Sequence, residues 1–109
     1  MTTIHRATLD VERNFRLTPH AIAELEKITS AGIGAIIRRV IDEHAFAHAE
    51  LIEIVRLALI GGGTAETDAA QLVAEHVTAK PIVHARLLAV DILRAAYFGA
   101  AEPEANNGA

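Results

Sequence analysis

The sequence predicts a mainly α-helical fold, a small bundle of four to five helices with a short extended or β-hairpin segment at its N-terminus. Apolar residues recur with the 3.6-residue helical period in four or five separate stretches. The composition is 51% hydrophobic and rich in Ala, Ile, Leu and Val, without Trp, which suits closely packed aliphatic helices. A chain of 109 residues is the usual length of one domain that can bury a core.

The N-terminal segment, residues 1–17, predicts an extended arm or a short hairpin. Four apolar residues alternate there with polar ones: Leu9, Val11, Phe15 and Leu17. The first helix follows in "TPHAIAELEKI", where Thr18 is a favourable N-cap and Pro19 occupies the first helical position, at which its missing N–H costs nothing.

The second and third helices differ in how much of their surface is apolar. "SAGIGAIIRRVIDE" predicts an amphipathic helix whose Arg38 and Arg39 point away from the core as a solvated face. Its inward side holds five residues: Ile33, Ile36, Ile37, Val40 and Ile41. "AHAELIEIVRLALI" is apolar on most of its circumference, so we expect this helix to be buried almost all round.

The last two helices complete the predicted domain. A shorter helix covers about Glu66 to His76, and "KPIVHARLLAVDILRAAYFG" predicts a long helix with Pro81 at its start and Gly99 as its C′ residue. The single helical domain therefore spans residues 1–99. The segment 100–109, "AAEPEANNGA", lacks apolar periodicity, and we expect a disordered tail.

Three consecutive glycines, Gly61, Gly62 and Gly63, follow the third helix. A phosphate-binding loop would need a preceding strand and a following Lys, and neither is present at this position. The run therefore predicts a helix-breaking turn in which the glycines supply positive φ.

Histidines are the remaining candidates for chemistry. His44 and His48 are four residues apart, a spacing that places two imidazoles on one helical face and could serve a metal-dependent enzyme. The stretch "HAFAH" lacks the glutamate of a zincin motif, and no third ligand stands at a metal-binding spacing. We therefore expect no catalytic residue, no metal and no cofactor, and keep the metal enzyme as the remoter alternative.

The charge and the cysteine content limit which partners and which cellular compartment we expect. The formal net charge is −4 and the ten Lys and Arg are scattered, so we expect no nucleic-acid binding. No apolar stretch predicts a signal peptide or a membrane span. The chain has no cysteine, which is compatible with a reducing compartment, and the bacterial cytoplasm is the expected location.

Four stretches together resemble a known family. "FRLTPHAIAELEKITSAGIGAIIRRV", "AELIEIVRLALIGGG", "AAQLVAEHV" and "LLAVDILRAAYFG" are similar to the gene transfer agent family of small phage-tail proteins, grouped with phage tail assembly chaperones. The resemblance covers about residues 8–99, and its motifs consist of packing and turn residues. Members usually carry a glycine in a hairpin turn before the first helix, which "LDVERNFRL" lacks.

The resemblance implies a non-enzymatic role in phage-like tail morphogenesis. It favours a tail assembly chaperone that shields an apolar helical client, the tape-measure protein, until tail-tube subunits replace it; a structural component of the tail tube is the alternative. The location implied is the bacterial cytoplasm or a phage-like particle. Six apolar residues are predicted to line the core or a partner-binding groove: Leu51, Ile52, Val55, Leu59, Leu88 and Ile92.

Self-association is a further expectation. A row of small residues, Ala85, Ala89 and Ala96, lets another helix approach the last helix closely. Two such rows could form a symmetric homodimer. The alternative is that the row packs against the third helix within one chain.

Overall fold

The computed structural model describes residues 1–101, and within them a two-stranded antiparallel hairpin precedes five α-helices, which confirms the predicted fold class. The elements are β1 His5–Thr8, β2 Glu12–Phe15, α1 Pro19–Thr29, α2 Ile33–Ile37, α3 His48–Gly61, α4 Glu66–Val73 and α5 Ile82–Phe98. The helices α2 and α4 continue directly as π-helical segments, Arg38–Glu43 and Ala74–Thr78.

The end of the predicted domain lies next to its beginning. The backbone N–H of Thr2 donates to the carbonyl of Ala100 (3.0 Å), and the N–H of Ala100 donates back (2.7 Å). These two hydrogen bonds form an isolated antiparallel bridge between Thr2 and Ala100. The predicted disorder of the tail concerns residues that, from 102 onward, lie outside the described part of the chain.

The hairpin forms without a glycine in its turn. Its register pairs His5 with Phe15 and Thr8 with Glu12. The guanidinium of Arg13 donates two hydrogen bonds, of 3.0 and 2.7 Å, to the carboxylate of Asp10 in the turn. This ion pair spans the turn, a contact that the sequence pattern alone did not indicate.

The ion pair in the turn should make the stability of the hairpin depend on pH. Hydrogen bonds from the Arg13 side chain, and next from the Val11 backbone, hold the pKa of Asp10 below its usual range. A lowered pKa in the folded state stabilises the fold above about pH 4, and this contribution is lost as the carboxylate is protonated in stronger acid. Asp10→Asn should therefore speed amide exchange in β1 and β2 at pH 7. The difference from the wild type should shrink in acid. Asp42→Asn, outside the hairpin, is the control, and an equal effect there would contradict the assignment.

The start of α1 follows the predicted capping. The Thr18 hydroxyl oxygen accepts a hydrogen bond from the backbone N–H of Ala21 (3.1 Å), and Pro19 is the first helical residue. This cap satisfies one of the N–H groups that the first turn of a helix leaves without a partner.

Helix α3 lies at the centre of the domain, as its apolar circumference predicts. It packs against α1, α4, α5 and β2. Its side chains Ile54, Val55 and Leu59 have no exposed surface, and Phe15 of β2 and Leu25 of α1 are equally buried. The core is therefore aliphatic with a single buried phenylalanine among the described residues.

The second predicted helix has the expected buried side but a different geometry. Ile36 and Val40 are fully buried, while Ile33, Ile37 and Ile41 pack at the edge of the core. The α-helix widens into the π-helical segment Arg38–Glu43 and ends at His44, whose φ is 53°. No helix within residues 1–101 is both long and apolar enough to cross a membrane.

Candidate protein docking surface

The glycine run ends α3, but only one of its members has positive φ. Gly63 has a φ of 112°, whereas Gly62 has a φ of −86° and Gly61 is the last residue of the helix. A Cβ on Gly61 would overlap the carbonyl oxygen of Arg16, and one on Gly62 would overlap that of Asn14. The prediction of positive φ is therefore wrong for these two glycines, which instead let the end of β2 approach α3.

The two histidines do not share a helical face, so that prediction is wrong. His44 ends the π-helical segment, and His48 begins α3 after three non-helical residues. His44 Nε2 lies 3.0 Å from Arg86 Nη2, and because arginine can only donate, that nitrogen accepts. Within residues 1–101, no group of three or more His, Cys, Asp or Glu is arranged to hold a metal ion.

An ion pair links the π-helical segment Arg38–Glu43 to the first turn of α3. Arg39 donates to both carboxylate oxygens of Glu50, at 2.9 and 2.6 Å, and also to the carbonyl of Ala45 (3.0 Å). The Glu50 side chain is only 6% exposed. Hydrogen bonding with Glu50 raises the pKa of Arg39. Arg39 is therefore not part of a solvated face, which corrects the prediction.

A cleft of about 470 Å³ opens beside this ion pair, between the end of α1 and the start of α3. Ile28 and Glu53 lie on its wall with Arg39 and Glu50. Glu50 is bound by Arg39, and Glu53 by Arg56 (2.6 Å), so both carboxylates already have cationic partners. These pairs stabilise the fold and leave no carboxylate of the cleft without a cation.

Most of the residues predicted to line a core or a groove are core residues. Leu51, Val55, Leu59 and Ile92 are at most 1% exposed. The other two, Ile52 and Leu88, are partly buried and pack at the edge of the core.

The alanine row of α5 faces the interior. Ala85 and Ala89 have no exposed surface and belong to the core, and Ala96 is partly buried against it. Helix α5 packs on α3, which corresponds to the packing alternative. Ala85 and Ala89 therefore offer no surface to a second copy, and the homodimer itself stays a prediction.

The opposite side of α5 carries a stripe of apolar residues that Arg94 interrupts and in which Val90 is partly buried against the core. We call the set Val83, Leu87, Val90, Arg94 and Tyr97 the α5 face; its members are separated alternately by four and three residues. On a helix this spacing forms one stripe of the kind that packs against another helix. Val83 is 53% exposed, Leu87 52% and Tyr97 66%. Such a stripe in solvent is typical of a protein docking surface.

Phe98 widens the α5 face at its C-terminal end. It is 63% exposed, and its ring meets that of Tyr97 edge to face with centroids 4.9 Å apart. A cleft of about 370 Å³ lies between these rings and two isoleucines, Ile37 at the end of α2 and Ile41 in the π-helical segment that follows it. The face therefore joins a groove, also lined by the charged residues Arg38, Asp42 and Arg94, into which side chains of a docked helix could insert.

Arg94 lies where two clefts meet. It lines the groove next to Tyr97 and a second cleft formed with His5, Asp91 and Ala100. Within residues 1–101 its guanidinium makes neither a hydrogen bond nor an ion pair. A cation without a partner among the described residues is able to pair with a carboxylate of another molecule.

The comparisons with known proteins give one family. The model of a family described as "Phage tail tube protein, GTA-gp10" matches residues 5–99, which includes every helix and strand described above. No curated protein and no solved structure matches the chain with significance.

Proposed function

We propose that the chain, which belongs to the GTA-gp10 family of phage tail tube proteins, is an assembly chaperone of a phage-like tail. In this proposal it binds other tail proteins and catalyses no reaction. It acts in the bacterial cytoplasm, where it covers an apolar helical segment of the tape-measure protein until tail-tube subunits take its place.

The α5 face is the observation that carries the proposal. Leu87 and Tyr97 are large apolar side chains that remain more than half exposed although the same helix contributes Ala89 and Ile92 to the core. Exposed apolar area is favourable to bury, at about 25 cal/mol per Å². An amphipathic helix is the partner that fits a stripe of this spacing, because its apolar residues recur with the same period.

Arg94 specifies a further property of the client helix. The guanidinium stands between Val90 and Tyr97 on an otherwise apolar face. A client helix with a carboxylate opposite this position would neutralise it, whereas a cationic residue there would be repelled. The apolar side chains would supply most of the affinity and the charge would supply selectivity.

A structural role in the tail tube is the second candidate, and the family description favours it directly. A tube whose inner wall consists of strands needs extended sheet edges. Within residues 1–101 the paired strands are β1 and β2, of four residues each. The limited strand content of the described residues is the reason for preferring the chaperone.

Whether purified tails contain the chain distinguishes a chaperone from a structural subunit. A producing strain is made with an epitope-tagged chain, and a second strain with the gene deleted. For a chaperone, tails should fail to form in the deletion strain, and purified tails should lack the tagged chain. Tagged chain in the tails at the same molar amount as the tube subunit would contradict the chaperone and support the structural role.

A further inference from the structure

We infer that the α5 face is self-complementary and pairs with the α5 face of a second copy when no client is bound. Asp91 lies beside the α5 face, and its side chain is 55% exposed. Its Oδ2 lies 3.7 Å from Nε2 of His5, which is too far for a hydrogen bond. Arg94 follows one turn later and has no partner within residues 1–101. The two side chains are not paired with each other within one chain.

The exposed apolar residues before Asp91 and those after Arg94 are of different types. Toward the N-terminus of α5 the exposed side chains are aliphatic, Val83 and Leu87. Toward the C-terminus they are aromatic, Tyr97 and Phe98. An antiparallel second copy would bring the aliphatic half of one helix against the aromatic half of the other.

The same antiparallel arrangement pairs the charges. In a two-fold dimer, residues equally far from the symmetry axis face each other across the interface. If the axis passes midway between Asp91 and Arg94, the carboxylate of each copy faces the guanidinium of the other, and Leu87 faces Phe98. A parallel pair would instead oppose like charges at both positions, so the charge pattern selects the antiparallel dimer.

The dimer would cover the apolar face until a client helix displaces one copy. That displacement rests on the proposed function, but the dimer does not require a client and is measured without one. Because the interface is only about one helix wide, we expect a dissociation constant on the order of 10 micromolar. The full chain should therefore sediment mainly as a dimer at about 0.1 mM.

Charge reversal tests the pairing. Arg94→Asp and Asp91→Arg should each raise the dissociation constant at least about tenfold, because each places like charges together twice in the symmetric interface. The double variant Asp91→Arg and Arg94→Asp should dimerise like the wild type. An equimolar mixture of the two single variants should form a heterodimer. Both positions are exposed, so circular dichroism should show the native helix content in every variant.

Two results would overturn the inference. One is a wild type that remains monomeric at about 0.1 mM; the other is a double variant that dissociates as readily as the single variants. Client capture by a monomeric wild type would refute the dimer and leave the proposed function intact. A wild-type dimer that captures no tail protein would support the dimer and refute the chaperone.

Discussion

Gly61→Ala is expected to lower the free energy of unfolding by about 3 kcal/mol or more, because the added methyl group enters space that backbone already fills. The new Cβ would overlap the carbonyl oxygen of Arg16, just after β2. A main-chain carbonyl cannot rotate aside as a long side chain can, so the strand would have to move away from α3. The hydrogen bond from the N–H of Arg16 to the carbonyl of Ala58 (2.9 Å) would be disturbed as well. Denaturant unfolding followed by circular dichroism measures the loss.

Gly34→Ala is the matched control for this change. Gly34 also lies in a helix, but a Cβ there would have no heavy atom within 4 Å. Alanine has the higher helix propensity, so this variant should be neutral or gain up to about 1 kcal/mol. Similar, small effects of the two substitutions would contradict the close approach of β2 to α3.

Arg39→Met should lower the free energy of unfolding by about 3 kcal/mol, which is the lower end of the range for breaking a buried ion pair. Arg39 itself is 29% exposed, which moderates the loss, but Glu50 is 6% exposed and would keep a buried carboxylate without its cation. A methionine retains much of the apolar stem of arginine, so the change tests the charge rather than the packing. Thermal and denaturant unfolding at neutral pH provide the measurement.

Two further variants test whether the buried carboxylate of Glu50 causes the loss of stability. Arg56→Met removes an arginine of the same 29% exposure whose partner, Glu53, is 25% exposed, and it should cost less than about 1 kcal/mol. The double variant Arg39→Met and Glu50→Leu should recover most of the stability, since neither charge remains buried. An Arg56 variant as unstable as the Arg39 variant would show that burial of the carboxylate is not the cause.

Local signals predicted the helices and their ends well. The cap of α1 depends on neighbouring residues, Thr18 and Pro19, whose chemistry can be read directly from the sequence. Gly99 has a φ of 83° and ends α5 as predicted, because a glycine after a helix is also a signal that can be read from neighbouring residues. The hairpin was predicted only as one of two possibilities because its turn lacks the usual glycine; Leu9, Asp10 and Val11 all have negative φ, so this turn does not require one.

Contacts between distant segments were not predictable from the sequence. Arg39 and Glu50 belong to different helical segments, and no spacing rule connects them. The glycine run was recognised as a helix end, but the approach of β2 that requires Gly61 and Gly62 depends on how the hairpin folds back.

The α5 face was not identified from the sequence because α5 is apolar on more than one side. The sequence pointed to the alanine row, since small residues permit close helix packing. The structure places that packing inside the chain, where Ala85 and Ala89 are fully buried. The heptad-like stripe that includes Leu87 and Tyr97 could have been found by its spacing, but spacing alone does not tell which apolar face remains exposed.

Capture of a client by the α5 face is the most direct test of the proposed function. The full chain, tagged, is co-expressed with the tape-measure protein from the same tail gene cluster, and the amount that co-purifies is compared for Leu87→Glu and Ile28→Glu. Both residues are 52% exposed on a helix, so neither change should unfold the chain, but Ile28 lies on α1. We predict that the wild type and Ile28→Glu retain the tape-measure protein and that Leu87→Glu loses it. Equal capture by the two variants, or no capture by the wild type, would contradict a client site on the α5 face.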